Sequence, residues 1–262
     1  MIDMNLAKEV AKIAKKAGKE ILKIYNEADD FQIQKKDDNS PLTMADQAAN
    51  KVICDGLEKL DVQFPIISEE NKAVEYEVRK NYDHYWLVDP LDGTKEFIKR
   101  NGEFTVNIAL VNAQRSIMGI VYAPVLDEMY YAVKGEGAFM EKDGVITKLK
   151  AASFTQQDEN LGVVCSRSHL NDATQEFVDQ LNNPKLVATG SSLKFLILAT
   201  GKAHLYPRLA PTMEWDTGAA QIVLEEAGGK VLQAETNDPL IYNKENLLNP
   251  YFIASGDLMN NE

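Results

Sequence analysis

One short segment constrains the fold of this chain more than any other: the run WLVDPLDGT at residues 86–94. Its apolar start leads into two carboxylates three residues apart, Asp89 and Asp92. An apolar run that ends in acid, proline and glycine predicts a buried strand that leaves its sheet at a turn. We therefore expect a strand interior up to Val88 and a polar turn from Asp89 onward.

The same turn has the composition of an ion site. Asp89, Asp92 and the free carbonyl of Leu91 can converge on one point, and carboxylate and carbonyl oxygens suit hard cations such as Mg²⁺. The amides of Gly93 and Thr94 then face the same point, and bare amides at a turn or helix start hold phosphate. Two carboxylates beside an apolar strand would repel each other unless a cation lies between them. The segment favours metal-assisted phosphate chemistry.

Three further acids lie at the ends of predicted elements: Asp46, Glu69 and Asp216. Element ends often carry sites, because the backbone there is exposed and held by rigid neighbours. Each acid also has a simpler structural interpretation. Asp216 could cap a helix, Glu69 could form a solvated pair with Glu70, and Asp46 could interact with a helix dipole. The residues alone leave these alternatives open.

Composition narrows the class of protein. The 262 residues are 45% hydrophobic and 26% charged, as in ordinary soluble globular proteins. The net charge of −12 argues against nonspecific nucleic-acid binding, which needs a basic surface, but permits a small phosphate substrate. The N-terminus is charged, and no apolar stretch approaches the ~20 residues of a membrane span. We expect a cytoplasmic protein without stable membrane insertion, and leave open a peripheral association with the inner membrane.

The apolar pattern divides the chain into two halves that share one layered α/β structure. Residues 1–150 predict an antiparallel α+β half: a helix over 6–25, a polar loop over 34–40, a helix over 43–60, a strand over 64–67 and a meander from residue 104. Residues 151–262 predict an α/β half with strands over 161–166, 186–189 and 204–206 and helices over 173–181, 192–200 and 215–227.

The motifs resemble those of the lithium-sensitive, Mg²⁺-dependent phosphatase superfamily that includes inositol monophosphatase. The matching segments are, in order, SEE at 68–70, DPLDGT at 89–94 and WDTGAA at 215–220. Four more segments are similar to the CysQ branch, the 3′(2′),5′-bisphosphate nucleotidases: KEF at 95–97, SRSH at 166–169, GSSLK at 190–194 and LYPR at 205–208. The resemblance covers nearly the whole chain and implies an inositol monophosphatase-like sandwich.

The resemblance also implies roles for individual residues. Two or three Mg²⁺ ions would be held by Glu69, Asp89, the Leu91 carbonyl, Asp92 and Asp216. Asp46 and Thr94 would activate the attacking water, and the amides of Gly93 and Thr94 would hold the scissile phosphate. The nucleotide would be contacted by His169, Ser191, Lys194 and Arg208. By the same resemblance, lithium would inhibit the enzyme.

The implied reaction is hydrolysis of adenosine 3′,5′-bisphosphate to AMP and phosphate, and of its sulfated analogue to adenosine phosphosulfate, in sulfur assimilation and nucleotide recycling. An inositol-phosphate or other sugar-phosphate phosphatase is the alternative, since it would share every metal residue. A non-catalytic Ca²⁺- or Mg²⁺-stabilised binding protein is disfavoured, because a structural site has no use for the water-activating pair Asp46 and Thr94. The sequence leaves open a monomer or a homodimer.

Overall fold

The computed structural model describes residues 1–27, 33–35, 41–165 and 170–259. The helices within these residues are α1 (Met4–Glu27), α2 (Met44–Leu57), α3 (Tyr76–Arg79), α4 (Thr94–Ile98), α5 (Asp172–Asp179), α6 (Leu193–Ala199) and α7 (Glu214–Glu226). The strands there are β1 (Ile33–Lys35), β2 (Pro41–Thr43), β3 (Ile66–Ser68), β4 (His84–Asp92), β5 (Thr105–Asn112), β6 (Arg115–Ala123), β7 (Glu128–Val133), β8 (Gly137–Lys142), β9 (Val145–Lys148), β10 (Ser153–Phe154), β11 (Gly162–Cys165), β12 (Lys185–Ala188), β13 (Leu205–Arg208), β14 (Lys230–Gln233), β15 (Phe252–Ser255) and β16 (Asp257–Leu258).

Helix α1 is amphipathic because its apolar residues recur every three or four positions. Its buried face packs against the first sheet and includes Leu6, Val10, Ile13, Ala17 and Ile21. The helix predicted over 6–25 is therefore confirmed, and the structure extends it to Met4–Glu27.

Helix α2 starts and ends inside the range predicted over 43–60. Thr43 belongs to β2 and pairs with Ile33, so its backbone is extended rather than helical. After Leu57 the chain continues only as a turn, in which the Leu60 N–H donates to the Leu57 carbonyl at 3.2 Å. The predicted loop over 34–40 is wrong for residues 34 and 35, which form part of β1. Residues 36–40 lie outside the described residues.

The first large sheet has seven strands in the order β3-β4-β5-β6-β7-β8-β9. Strand β3 runs parallel to β4, and every later neighbour is antiparallel. The predicted antiparallel meander is confirmed. Strands β4 and β5 lie inside the sheet and are buried along nearly their whole length, which explains their continuous apolar runs.

The second large sheet has five strands in the order β12-β11-β13-β15-β14. Strands β12, β11 and β13 are parallel, and they correspond to the three strands predicted in this half. Strand β15 pairs antiparallel with β13, and the edge strand β14 pairs antiparallel with β15. Neither of these two strands was predicted from the sequence.

The elements stack in five layers. Helices α1 and α2 cover one face of the seven-stranded sheet, α6 and α7 lie between the two sheets, and α5 covers the outer face of the five-stranded sheet. This is the layered α/β fold that the sequence predicts. The boundary between 1–150 and 151–262 stays a prediction, since α7 packs against strands of both sheets. Among the described residues, no helix has both the length and the apolarity to cross a bilayer.

Candidate metal and substrate site

Strand β4 does not end where the sequence predicts. It continues past Asp89 to Asp92, so the predicted turn at Asp89 is wrong. The register against β5 shifts instead: Asp89 pairs with Asn107, and Asp92 pairs with Thr105. Three steps along β4 match two along β5, which is a bulge of one residue. Because side chains alternate along a strand, the extra residue brings Asp89 and Asp92 to the same face of the sheet.

Helix α7 adds a third carboxylate to this face. Asp89, Asp92 and Asp216 each offer one oxygen, and the three oxygens lie within 4.8 Å of one another. Asp216 is the third residue of α7, and its Oδ2 accepts a hydrogen bond from the Met213 N–H at 2.8 Å. The Asp89 Oδ1 accepts one from the Leu91 N–H at 3.1 Å. Asp216 thus takes part in capping the helix from inside its first turn and also belongs to the acidic cluster.

The electrostatics of the cluster call for a cation. Burial raises the pKa of Asp89 well above its ordinary value, and the charges of Glu69, Asp92, Asp216 and Asp46 raise it further. Burial, reinforced by Asp92, raises the pKa of Asp216 to about 8. Carboxylates that resist ionisation together become fully charged when a divalent cation lies between them. All the donors are hard oxygens, so the residues present fit Mg²⁺.

Asp46 and Glu69 reach the cluster from two other elements. Asp46 lies in the first turn of α2 and is 3% exposed. Glu69 follows β3, and its N–H donates to the Val88 carbonyl at 3.1 Å, which continues the pairing with β4 by one residue. Both charges raise the pKa of Asp89, so both carboxylates are close enough to act on it electrostatically. This burial argues against reading Asp46 only as a partner of the helix dipole.

The junction between β4 and α4 carries the predicted phosphate-binding amides. Gly93 precedes α4 with a left-handed φ of 99°, and Thr94 is the first residue of the helix. The Thr94 hydroxyl donates to the Leu91 carbonyl at 3.4 Å, a long contact for an O–H···O bond. The predicted water-activating hydroxyl and the predicted carbonyl ligand are therefore neighbours.

Two serines before α6 hold Asp92. Its Oδ2 accepts hydrogen bonds from the Ser191 hydroxyl at 2.6 Å, the Ser192 N–H at 2.6 Å and the Ser192 hydroxyl at 2.8 Å. Ser191, predicted to contact substrate, thus also binds a predicted metal ligand. Ser192, and Thr105 and Asn107 behind it, were not predicted from the sequence as site residues. The available signal was that Thr105 and Asn107 are polar at alternate positions at the start of β5, whereas residues 108–111 are all apolar.

A cavity of ≈ 200 Å³ opens beside the cluster, and its lining includes the acids Asp92, Glu96 and Asp216 and the cations Lys194 and Arg208. The buried Lys194 Nζ donates to the Ser191 carbonyl at 3.1 Å, and its burial lowers the pKa of the ammonium. The Arg208 Nη2 donates to a backbone carbonyl at 2.9 Å, whereas its buried Nε has no hydrogen-bond partner among the described residues. His169, the fourth predicted nucleotide contact, lies outside the described residues.

The arrangement joins two chemistries in one cleft. Its carboxylates can hold hard cations, and its cationic side chains can bind an anion. A phosphate ester with a second anionic group would use both kinds of residue, because cation–phosphate hydrogen bonds are charge-assisted. The roles of all these residues stay predictions from the sequence, now with a common location.

Comparison with known proteins agrees with this geometry. Residues 4–259 match the inositol monophosphatase family. The 3′(2′),5′-bisphosphate nucleotidase CysQ of Salmonella typhimurium is 44% identical over 249 residues, covering 94% of this chain and 98% of that protein. The crystal structure of CysQ from Bacteroides thetaiotaomicron superposes with a TM-score of 0.85 at 43% identity, covering 97% of this chain and 98% of that one.

A more distant structure shares the fold. The extragenic suppressor protein SuhB from Bartonella henselae superposes with a TM-score of 0.77 at 23% identity, covering 97% of this chain and 94% of that one. Family match, close relatives and layered architecture agree along nearly the whole length. The chain therefore belongs to the inositol monophosphatase family, whose members are metal-dependent phosphatases.

Proposed function

We propose that this chain is a Mg²⁺-dependent 3′(2′),5′-bisphosphate nucleotidase. It hydrolyses adenosine 3′,5′-bisphosphate to AMP and phosphate, and accepts the sulfated analogue, in nucleotide recycling and sulfur assimilation. The observation that carries the proposal is one cavity whose lining contains Asp92 and Asp216 of the acidic cluster together with two cations, Lys194 and Arg208. The name of the relative at 44% identity, 3′(2′),5′-bisphosphate nucleotidase CysQ, supports the same substrate class.

The metal end of the site would be built from Glu69, Asp89, the Leu91 carbonyl, Asp92 and Asp216. Two or three Mg²⁺ ions fit this donor set. Bound Mg²⁺ would lower the pKa of a water molecule and neutralise the charge that develops on the leaving oxygen.

The remaining residues would direct the proton and the phosphate. Asp46 accepts a proton from the attacking water through the Thr94 hydroxyl. The amides of Gly93 and Thr94 hold the scissile phosphate at the start of α4. Phosphoryl transfer depends mainly on such positioning and charge compensation, so no covalent nucleophile is required.

The cationic residues of the cavity would bind the phosphate that is not hydrolysed. Lys194 and Arg208 provide charge-assisted hydrogen bonds, each worth roughly 1.5–3 kcal/mol. Ser191 contacts both Lys194 and Asp92, and His169 would complete the contacts with the nucleotide. Inositol monophosphate has no second phosphate with which to use the two cations.

The test is a side-by-side assay of phosphate release from adenosine 3′,5′-bisphosphate, its sulfated analogue and inositol 1-phosphate. We expect the nucleotide to be preferred, activity to vanish in EDTA, and lithium to inhibit at concentrations at which sodium does not. Activity without any divalent cation, or none on any phosphomonoester, would contradict the proposal.

Substitutions refine the assignment of substrate. Lys194→Ala and Arg208→Ala should each lower kcat/KM for adenosine bisphosphate by about tenfold to a hundredfold and change hydrolysis of simple monophosphates far less. Lys202→Ala, an exposed lysine beyond α6, is the control. Equal losses on both substrates would favour a sugar-phosphate phosphatase, which uses the same metal residues.

A further inference from the structure

A buried hydrogen-bond network lies directly behind Asp92. The Asn107 Nδ2 donates to the Ser192 hydroxyl oxygen at 2.9 Å, and the Thr105 hydroxyl contacts the Asn107 Oδ1 at 3.2 Å and the Ser191 hydroxyl at 2.7 Å. Thr105 is 0% exposed, Asn107 1% and Ser192 2%. A buried polar network is unfavourable in free energy unless each of its groups has a hydrogen-bond partner. The arrangement of this network is therefore tightly determined.

The donors and acceptors of this network define the direction of one proton. The Asn107 amide nitrogen can only donate, so the Ser192 oxygen accepts from it. The single Ser192 hydroxyl proton then has two acceptors in reach: the Asp92 Oδ2 at 2.8 Å and the Asp216 carbonyl at 3.1 Å. The carboxylate is closer and negatively charged, so it receives the proton in the stronger bond.

All three hydrogen bonds between the serines and Asp92 end on Oδ2. The Asp92 Oδ1 therefore stays available as a ligand atom. The three hydrogen bonds to Oδ2 fix the orientation of the carboxylate plane. The network also joins two adjacent layers of the fold. Asp92 and Asn107 lie on neighbouring strands of the seven-stranded sheet, and Ser192 lies at the start of α6 in the middle layer. Ser192 thus couples the packing of α6 to the orientation of Asp92.

We infer that Ser192, oriented by Asn107, is a positioning residue for the metal site, whose hydroxyl and amide hold Asp92 in the orientation that binds the cation. The inference rests on the proposed metal site. Groups that hydrogen-bond to metal ligands fix their orientation, and losing one typically lowers metal affinity by about 10–100-fold.

The test measures Mg²⁺ binding to the substrate-free protein by isothermal titration calorimetry. Ser192→Ala removes the hydroxyl and should weaken Mg²⁺ binding about tenfold. Asn107→Leu nearly keeps the size of the side chain and adds no charge, but it removes the donor to Ser192. The Ser192 hydroxyl would then lose the partner that fixes its direction toward Asp92, so Mg²⁺ binding should weaken here too.

Ser116→Ala is the matched control. Ser116 is also buried, and its hydroxyl donates to the Gly218 carbonyl at 2.8 Å, so it joins the same sheet to α7. Its described hydrogen bonds involve none of the predicted metal ligands. Melting temperatures in EDTA report the structural cost of each substitution separately from Mg²⁺ affinity. We expect Ser116→Ala to lower the melting temperature and leave the affinity unchanged.

Two results would overturn the inference alone: parental Mg²⁺ affinity in both Ser192→Ala and Asn107→Leu, or an equal loss of affinity in Ser116→Ala. If Ser192→Ala does not fold, Asn107→Leu decides the question by the same comparison. A parent protein that binds no Mg²⁺ would overturn the proposed metal site together with this inference.

Discussion

At the scale of single residues, Asp92 combines two requirements that only a carboxylate meets. One of its oxygens accepts three hydrogen bonds, from Ser191 and Ser192, while the group stays within 4.8 Å of the oxygens of Asp89 and Asp216. Asp92→Asn would place an amide nitrogen either against those donors or toward the cation. We expect phosphate release to fall by at least ~10²-fold, comparable to the loss of a preorganised electrostatic group.

The comparison for Asp92 is Asp83→Asn, just before the same strand. The Asp83 side chain is 82% exposed and contacts His84. Removing its charge should therefore leave the rate of phosphate release at the parental value. Circular dichroism would show that both variants fold. An Asp92→Asn protein within a few-fold of the parent would mean that Asp92 does not bind a catalytic cation.

At the scale of elements, the junction of β4 and α4 depends on Gly93. Its φ is 99°, and a Cβ atom there would lie 3.0 Å from the Glu103 carbonyl oxygen. Gly93→Ala should cost about 1–2 kcal/mol for the left-handed backbone alone, and the contact adds to this cost. Thermal denaturation should show the loss of stability, and phosphate release should fall because the amides of Gly93 and Thr94 move.

Gly135→Ala separates the two causes. Gly135 has a similar φ of 82°, but a Cβ atom there would meet nothing within 4 Å. The substitution should therefore carry the backbone cost without the contact, and it should leave phosphate release unchanged. Equal melting temperatures and equal activities for the two alanine variants would contradict the argument.

A second prediction at the element scale concerns His204, just before β13. Its Nδ1 accepts a hydrogen bond from the Gly162 N–H at 2.8 Å, at the start of β11. Burial lowers the pKa of His204 below its ordinary 6.5. As the pH falls through about 6.5, the unfolded chain takes up a proton before the folded protein does, so His204 should make the protein less stable in acid.

The measurement is the melting temperature between about pH 7.5 and pH 5.5. His204→Asn keeps a hydrogen-bond acceptor near the Gly162 N–H but does not titrate, so its melting temperature should fall less over this range than that of the parent. A parallel decline in the two proteins would mean that His204 is not the group responsible.

At the scale of the whole molecule, one close approach sets the distance between layers. A Cβ atom at Gly119 on β6 would lie 2.2 Å from the Ala219 carbonyl oxygen and 2.5 Å from the Ile222 side chain, both on α7. Gly119→Ala should push α7 from the sheet and destabilise the protein by about 1–3 kcal/mol or more. Because α7 carries Asp216, Mg²⁺ affinity should fall together with the melting temperature.

Gly144→Ala, in the hairpin between β8 and β9, serves as the comparison for Gly119. A Cβ atom there would meet nothing within 4 Å, and α7 would not move. We expect unchanged Mg²⁺ affinity by calorimetry in this variant. A Gly119→Ala protein that binds Mg²⁺ like the parent would show that the spacing of the layers does not control the site.

Much of the fold followed from local patterns. Three features depend only on near neighbours in sequence: the apolar spacing of α1, the alternation in the strands after residue 104 and the position at which α7 ends. Each was therefore predicted with errors of a few residues. The predicted turn at Asp89 is wrong, because a segment with a proline and two acids has the same sequence pattern where a strand ends and where it bulges. The pairing with β5 decides between these outcomes.

The sequence by itself determined the class of the protein: the motifs around Glu69, Asp89 and Asp216 indicated a family because their order and residue types are readable without coordinates. Only the tertiary structure decided how they act together. Three of its features join residues far apart in the chain. They are the bulge that turns Asp92 to the face of Asp89, the close approach of α7 to Gly119, and the hydrogen bonds from Ser192 to Asp92. Such contacts depend on register and layer spacing, which are properties of the packed molecule and not of any one segment.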